Sequence, residues 1–267
     1  MPGRVMVRGT VSVFAVLLCV SALPAQSVCD FGNGLLNPAQ PSTRTPAEII
    51  EKFAAKEGEF KAAKENYGYV VDVTIQTLDR NASVNGEYRQ TSEITLDAFG
   101  KRAERTTFAP QSSLRGMTLS EDDLLDIRTR LAFAFTPQEL PQFSIIYVGR
   151  QHVDQLDTYV FDVSPKNPKK GAKLFDGRIW VDDQDLTIVK TCGKPRRGDN
   201  EMPKRGPAEV VPTFVTYREE IDGKYRFTTY AHADEYLNFP KYTVHVRETV
   251  KYSAFKPLSA TVVAPSP

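Results

Sequence analysis

The sequence predicts a mainly β, α+β domain: a curved antiparallel half-barrel sheet with two or three helices packed on its concave side. Three observations lead there. About ten segments alternate apolar and polar residues with the period of two that a half-buried strand requires. Turn-forming residues punctuate most of the gaps between them. Helical capping patterns occur in only a few places, one ahead of the strands and the others after the third. Long strands with one polar face twist and curl, and helices are suited to cover the concave side of such a sheet.

The first helix begins at Thr45-Pro46-Ala47-Glu48, a capping box with proline at the first helical position. Ile49, Ile50, Phe53, Phe60 and Ala63 share one face, Lys52, Lys56, Lys61 and Lys64 read as solvated, and the helix should reach about Asn66. Strands are expected at 67–78, 88–99 and 102–108, with a turn at Asn85-Gly86. Ser120 caps a second helix over 121–131, whose acidic first turn complements the helix N-terminus. Thr136-Pro137-Gln138-Glu139 repeats the box, but Pro141 allows only about one turn. Seven more strands follow at 144–152, 158–164, 175–181, 186–192, 213–221, 224–233 and 242–252. The Pro-, Gly- and Arg-rich stretch 194–212 reads as a long loop.

The N-terminus carries an export signal. Arg4 and Arg8 precede an uncharged apolar run over 11–23, which is too short to span a bilayer, and small residues follow it. Cleavage is expected after Ala25, with cleavage after Ser27 as the alternative. Val28 before Cys29 is not the residue that a lipid-anchor signal wants. The organisation is then a signal peptide at 1–25, an arm at 26–44, one domain at 45–256 and a disordered tail at 257–267. No later stretch is long and apolar enough to cross a membrane, so the expected location is the periplasm.

The chain has 34 basic and 33 acidic residues, and its signal region removes two basic ones. Such a balance argues against a nucleic-acid partner, which needs a basic stripe. Cys19 leaves with the signal. Cys29 and Cys192 then remain in an oxidising compartment, either as a disulfide tying the arm to a strand end or as two unpaired thiols.

No catalytic constellation is apparent. His152, His232 and His245 stand apart from one another, and no metal-ligand spacing, nucleophile elbow or phosphate loop occurs. Asp182, Asp183 and Asp185 fit a hairpin turn better than a calcium loop, because the glycine and terminal glutamate of such a loop are missing. Asn81-Ala82-Ser83 matches a glycosylation sequon by chance in a turn. No cofactor or metal is expected, and the chain does not read as an enzyme. The strand aromatics suit an ordinary core or the wall of an apolar cavity.

Phe161-Asp162-Val163-Ser164-Pro165-Lys166, followed by Phe175-Asp176-Gly177-Arg178-Ile179-Trp180-Val181-Asp182 and a strand ending Val189-Lys190, resembles the outer-membrane lipoprotein-sorting family, the LolA-like carriers with their LolB- and RseB-like relatives. The Thr45-Pro46 helix and the Asp222-Gly223-Lys224 hairpin are similar to exported proteins of that group. The resemblance implies a half-barrel with helices as a lid over a cavity for lipid or lipoprotein acyl chains. Candidate lining residues are Tyr69, Val71, Ile94, Leu96, Trp180 and Phe227. The alternative is an envelope protein-interaction module, a sensor or assembly factor, docking its partner through the sheet and the 194–212 loop.

Overall fold

The computed structural model describes residues 28–30, 32–120, 123–124, 127, 134–169, 172–197 and 212–258. One α-helix, α1 (Pro46–Lys64), precedes ten strands: β1 (Tyr67–Leu78), β2 (Val84–Leu96), β3 (Arg102–Phe108), β4 (Phe143–Val153), β5 (Leu156–Pro165), β6 (Lys173–Asp182), β7 (Ile188–Arg197), β8 (Phe214–Ile221), β9 (Tyr225–Phe239) and β10 (Tyr242–Pro257). They form a single sheet in the order β3-β2-β1-β10-β9-β8-β7-β6-β5-β4, with every neighbouring pair antiparallel. All but one of these pairings join strands adjacent in sequence. The exception is β1 with β10, which fuses a three-stranded meander to a seven-stranded one.

The architecture corrects the expected half-barrel with two or three helices. The strands make one open sheet whose edges are β3 and β4, and α1 is the one α-helix whose bounds fall among the described residues. The short helix expected after Thr136 is a 3-10 turn at Leu140–Gln142, because Pro141 cannot continue an α-helical ladder. The helix expected over 121–131 lies mostly outside the described residues. What covers the β1–β2–β10 end of the sheet includes irregular chain: Leu114, Met117 and Leu119 pack onto the cluster of Val71, Val73, Val246 and Val250. This connection is long because β3 and β4, consecutive in sequence, sit at opposite edges.

Helix α1 starts as its capping box dictates. Glu48 N donates to Thr45 Oγ1, and Thr45 N donates back to the Glu48 carboxylate at 2.7 Å. Its first half buries Ile49, Phe53 and Ala54 against Phe161, Ile179 and Ile188 of the sheet. The two larger side chains, Ile49 and Phe53, contribute about 1.5–3 kcal/mol each when fully buried. Its second half sets Phe60 beside Tyr67 and Phe227.

The opposite face carries the N-terminal arm. Cys29 is bonded to Cys192 of β7, with Cα atoms 5.4 Å apart. Gly34 N and Asn37 N donate to the carbonyls of His152 and Arg150, so the arm occupies the outer side of β4.

Some local expectations also change. Asn85 and Gly86 lie inside β2, and the turn sits at 79–83. There Asp79 Oδ1 accepts from the backbone of Asn81 and Ser83, and Ala82 takes a left-handed φ of 58°. Gly86 serves a close approach instead: a Cβ would stand 2.5 Å from the Ser113 carbonyl oxygen. Of the expected loop 194–212, the first part belongs to β7, and 198–211 lie outside the described residues. The expected signal peptide lies outside them as well, as do residues 259–267 of the expected tail, whereas its first residue, Pro257, ends β10.

Candidate functional site

Two adjoining hollows share one wall, Tyr69 of β1. The larger is a groove of 700 Å³ at the end of β1, β2 and β10. Its lining includes the apolar residues Tyr69, Ile94, Leu96, Ala254, Pro257 and Leu258 and the charged residues Glu93, Asp97 and Lys256. Gly68 makes room for this arrangement, since a Cβ there would meet the Ile94 carbonyl oxygen at 2.6 Å and Leu258 Cδ2 at 2.9 Å. Leu258 is held in place by its backbone N–H, which donates to Asn66 O at 2.7 Å.

The smaller hollow is a cleft of 180 Å³ between the C-terminal half of α1 and the sheet. Phe60, Tyr69 and Phe227 give it aromatic walls, and five cations line it against two carboxylates, Glu57 and Glu65. Three of the cations are paired. Lys61 Nζ meets Glu139 at 2.7 Å, Arg226 meets Asp182 at 3.4 Å and Asp185 at 3.2 Å, and Arg218 Nη1 meets Glu57 Oε1 at 2.5 Å. Arg102 instead donates to the carbonyls of Lys64 and Glu65, which the end of α1 leaves without helical partners, and to that of Tyr67 at the start of β1.

Lys64 is the fifth. Its ammonium lies 5.4 Å from the Tyr69 ring centre and 5.5 Å from that of Tyr252. Burial pushes its pKa down to about 8, and the nearby Arg218 and Arg102 add to the fall. The same apolar surroundings raise the phenols of Tyr252 and Tyr69.

The six residues singled out from sequence fall in three places. Tyr69, Ile94 and Leu96 line the groove. Phe227, with Tyr69, lines the cleft. Val71 is buried in the core under the 114–119 chain. Trp180 faces the other side of the sheet, fully buried beneath the arm, where its Nε1–H donates to Gln151 Oε1 at 2.6 Å and Lys190 Nζ sits 4.8 Å above its ring.

Sequence reasoning missed Glu57, Lys64, Arg102 and Arg218. A signal existed for two of them. Phe53, Glu57, Phe60 and Lys64 follow the four-three-four spacing of one helix face, so the buried stripe runs through both charges. Lys64 is accordingly half-buried instead of solvated.

The other polar candidates are engaged locally. Asp182 accepts from Gln184 N, Asp183 pairs with Arg150, and Asp185 accepts from Thr187 as well as Arg226. His152 meets Asp157 at 3.2 Å, His245 meets Asp234 at 2.5 Å, and His232 stacks on Tyr217. Among the described residues no cluster of three or more His, Cys, Asp or Glu is arranged to hold a metal ion, and no helix is long and apolar enough to cross a membrane.

No family model matches the chain, and no curated protein matches it in sequence. Among solved structures it is similar to a DUF1329 family protein from Desulfovibrio piger ATCC 29098, with a TM-score of 0.38 and 12% identity over 82% of this chain and 95% of that one. It is also similar to MucB in complex with MucA(peri), with a TM-score of 0.23 and 11% identity over 80% of this chain and 99% of that one. The Pseudomonas aeruginosa MucA/MucB complex gives a TM-score of 0.23 and 12% identity over 78% of this chain and 99% of the other. Likenesses at these TM-scores carry no weight for function, and the site stands on its own geometry.

Proposed function

We propose that the mature chain is an exported, non-catalytic carrier for a hydrophobic ligand such as a lipid or the acyl chains of a lipoprotein. The observation that carries this reading is the 700 Å³ groove, whose lining includes the apolar residues Tyr69, Ile94, Leu96 and Leu258. Its volume lies within the range of small-molecule sites. Export is supported by the charged, then apolar, then small-residue order of the first 25 residues. The Cys29–Cys192 disulfide suits an oxidising compartment such as the periplasm.

Native mass spectrometry of the mature protein, purified from its own envelope and followed by lipid extraction, tests the reading. A bound lipid or acylated peptide, lost in an Ile94→Glu variant, supports it. An apo mass together with no uptake of added lipid overturns it.

One observation favours a second reading, an interaction module. The arm occupies the outer side of β4, whereas β3 has no strand on its outer side among the described residues, and its residues 104–108 are exposed. An open edge of that kind accepts an extended segment of another chain. Crosslinks from β3 to a co-purifying protein, with the groove empty, would favour this reading over the carrier.

A further inference from the structure

We propose that the outer edge of β4 is a pairing site for a second copy of this chain, held shut by the arm that the Cys29–Cys192 disulfide fastens to the sheet. The proposal is independent of what the groove carries.

The two edges of the sheet are built differently. An uncovered edge strand offers its free N–H and C=O groups to any extended chain, and charged side chains, proline or a covering segment blunt it. β3 carries Arg102, Glu104 and Arg105 within its seven residues. In β4 the run Phe143-Ser144-Ile145-Ile146-Tyr147-Val148-Gly149 has no charge and no proline, and it is rich in β-branched and aromatic residues. Such a run on an edge favours strand-to-strand association. Ile146, in its middle, is 62% exposed.

Covering this edge falls to the arm. Asn37 and Arg150 exchange backbone hydrogen bonds of 2.8 and 2.7 Å, and Gly34 N donates to His152 O at 2.8 Å, so the edge already accepts an antiparallel segment. From Asn37 the arm passes the uncharged run. A Cβ on Gly149 would stand 2.3 Å from Asn37 O and 3.1 Å from Pro38 Cα, and the Tyr147 hydroxyl donates to Ala39 O at 2.9 Å. Pro38 and Pro41 have no N–H to donate, so this stretch cannot complete a ladder as a full strand would. The disulfide to β7, the bond from Lys190 Nζ to Asn33 Oδ1 at 2.7 Å and the contact of Arg178 with Asp30 at 3.4 Å hold the arm in place.

The run is complementary to itself. In a two-fold antiparallel pair centred on Ile146, that residue meets its own counterpart, Ile145 meets Tyr147, Ser144 meets Val148 and Phe143 meets Gly149. No charges are opposed, and the two exposed Ile146 side chains cover each other. The same operation on β3, centred on Glu104 or Arg105, sets like charges face to face. A ladder over 143–149 takes up the space where Pro38 and Ala39 lie, so the arm and a second copy exclude each other.

Sedimentation over a concentration series compares the mature wild type with two opened forms. One is Cys29→Ser with Cys192→Ser; the other is Asn37→Pro, which keeps the disulfide and removes the N–H that bonds Arg150. Circular dichroism identifies the folded forms, and one folded opened form decides. The wild type should remain a monomer while the opened forms move towards twice its mass. Ile146→Lys, at a position exposed in the monomer, should return them to monomers. In the Cys29→Ser, Cys192→Ser background, Ile146→Cys should crosslink two copies on oxidation, since directly opposed residues lie about 4.5–5.5 Å apart, and Thr106→Cys of β3 should not. A folded opened form that stays monomeric overturns the pairing site. A wild type that dimerises as strongly as the opened forms overturns the role of the arm. Dimers that survive Ile146→Lys, or that crosslink through Thr106→Cys instead, overturn the placement on β4.

Discussion

Arg218 and Glu57 meet beneath α1 with Nη1 2.5 Å from Oε1, their side chains only 7% and 2% exposed. Helix and sheet are therefore joined by an ion pair taken out of water, and its two halves depend on each other. Truncating one partner strands a buried charge and typically costs about 3–5 kcal/mol. Glu57→Ala should lose that much in urea denaturation, and Arg218→Met a similar amount. The double variant Glu57→Met, Arg218→Met should recover most of the loss, because an apolar pair of similar volume carries no desolvation penalty. A double variant as unstable as the sum of the singles would show that the two groups act independently.

The disulfide fastens the arm over the single tryptophan of the chain. Trp180 is fully buried there, and Cys29 is bonded across 163 residues of sequence to Cys192. In the chain-entropy account, closing so long a loop is worth up to ~5 kcal/mol, and measured losses run about 2–5 kcal/mol. Reduction, or Cys29→Ser with Cys192→Ser, should lower the urea midpoint accordingly. It should also shift Trp180 emission to the red and release the Asn37 and Arg150 amides to hydrogen exchange. Unchanged emission after complete reduction would mean that the arm stays docked through its other contacts, such as Asn33 to Lys190 at 2.7 Å.

Much of the sheet was legible because strand signals are local. All ten strands overlap the period-two segments, and turns such as Asp154-Gln155 and Asp222-Gly223 are spelled by their own residues. What was not legible is register and layer. Alternation separates Trp180 from Ile179 and Val181, but only the pairing of β6 with β5 and β7 decides which set faces α1. Trp180 was grouped with Tyr69 and lies on the opposite face. The β1–β10 pairing is hidden for the same reason, since it joins segments at opposite ends of the domain. Arg102 and Arg218 reach the cleft through this long-range geometry, so no spacing within one element could bring them to Lys64.

A second consequence of register is the crossing of Gly177 and Gly193, which face each other in β6 and β7 beside the disulfide. A Cβ on Gly177 would stand 2.2 Å from the Cys192 carbonyl oxygen and 2.5 Å from Gly193 Cα. Both neighbours are backbone, so the strands themselves would have to separate. Gly177→Ala should cost more than about 2 kcal/mol, well beyond the ordinary effect of a surface substitution. Gly100→Ala offers a comparison with open space around the Cβ, where only the left-handed φ of 73° opposes the change. Equal destabilisation of the two variants in thermal melts would show that steric crowding at the crossing is not what selects glycine there.

Two lysines, Lys64 half-buried and Lys190 fully buried, give the fold a distinctive response to alkali. Burial lowers Lys64 and Lys190 from the ordinary 10.5 to about 8 each. Below pH 8 both are charged in the folded and unfolded chain alike, and their burial is a standing cost. Between about 8 and 10.5 the unfolded chain still holds protons that the folded chain has released, so stability rises with pH across this window. Tyrosines act in the opposite sense at higher pH. A hydrogen bond to Asp222, with burial adding to it, raises Tyr67 to about 12, so above pH 10 the folded chain keeps a proton that the unfolded chain loses, and stability falls. Urea midpoints should therefore climb from pH 7.5 to a maximum between about 9 and 10 and then decline. Lys64→Met should be more stable than the wild type at pH 7.5 and show a shallower climb, the remainder belonging to Lys190. A wild-type profile that is flat or falling from pH 7.5 to 9.5 would mean that both ammonium groups keep their protons in the folded chain.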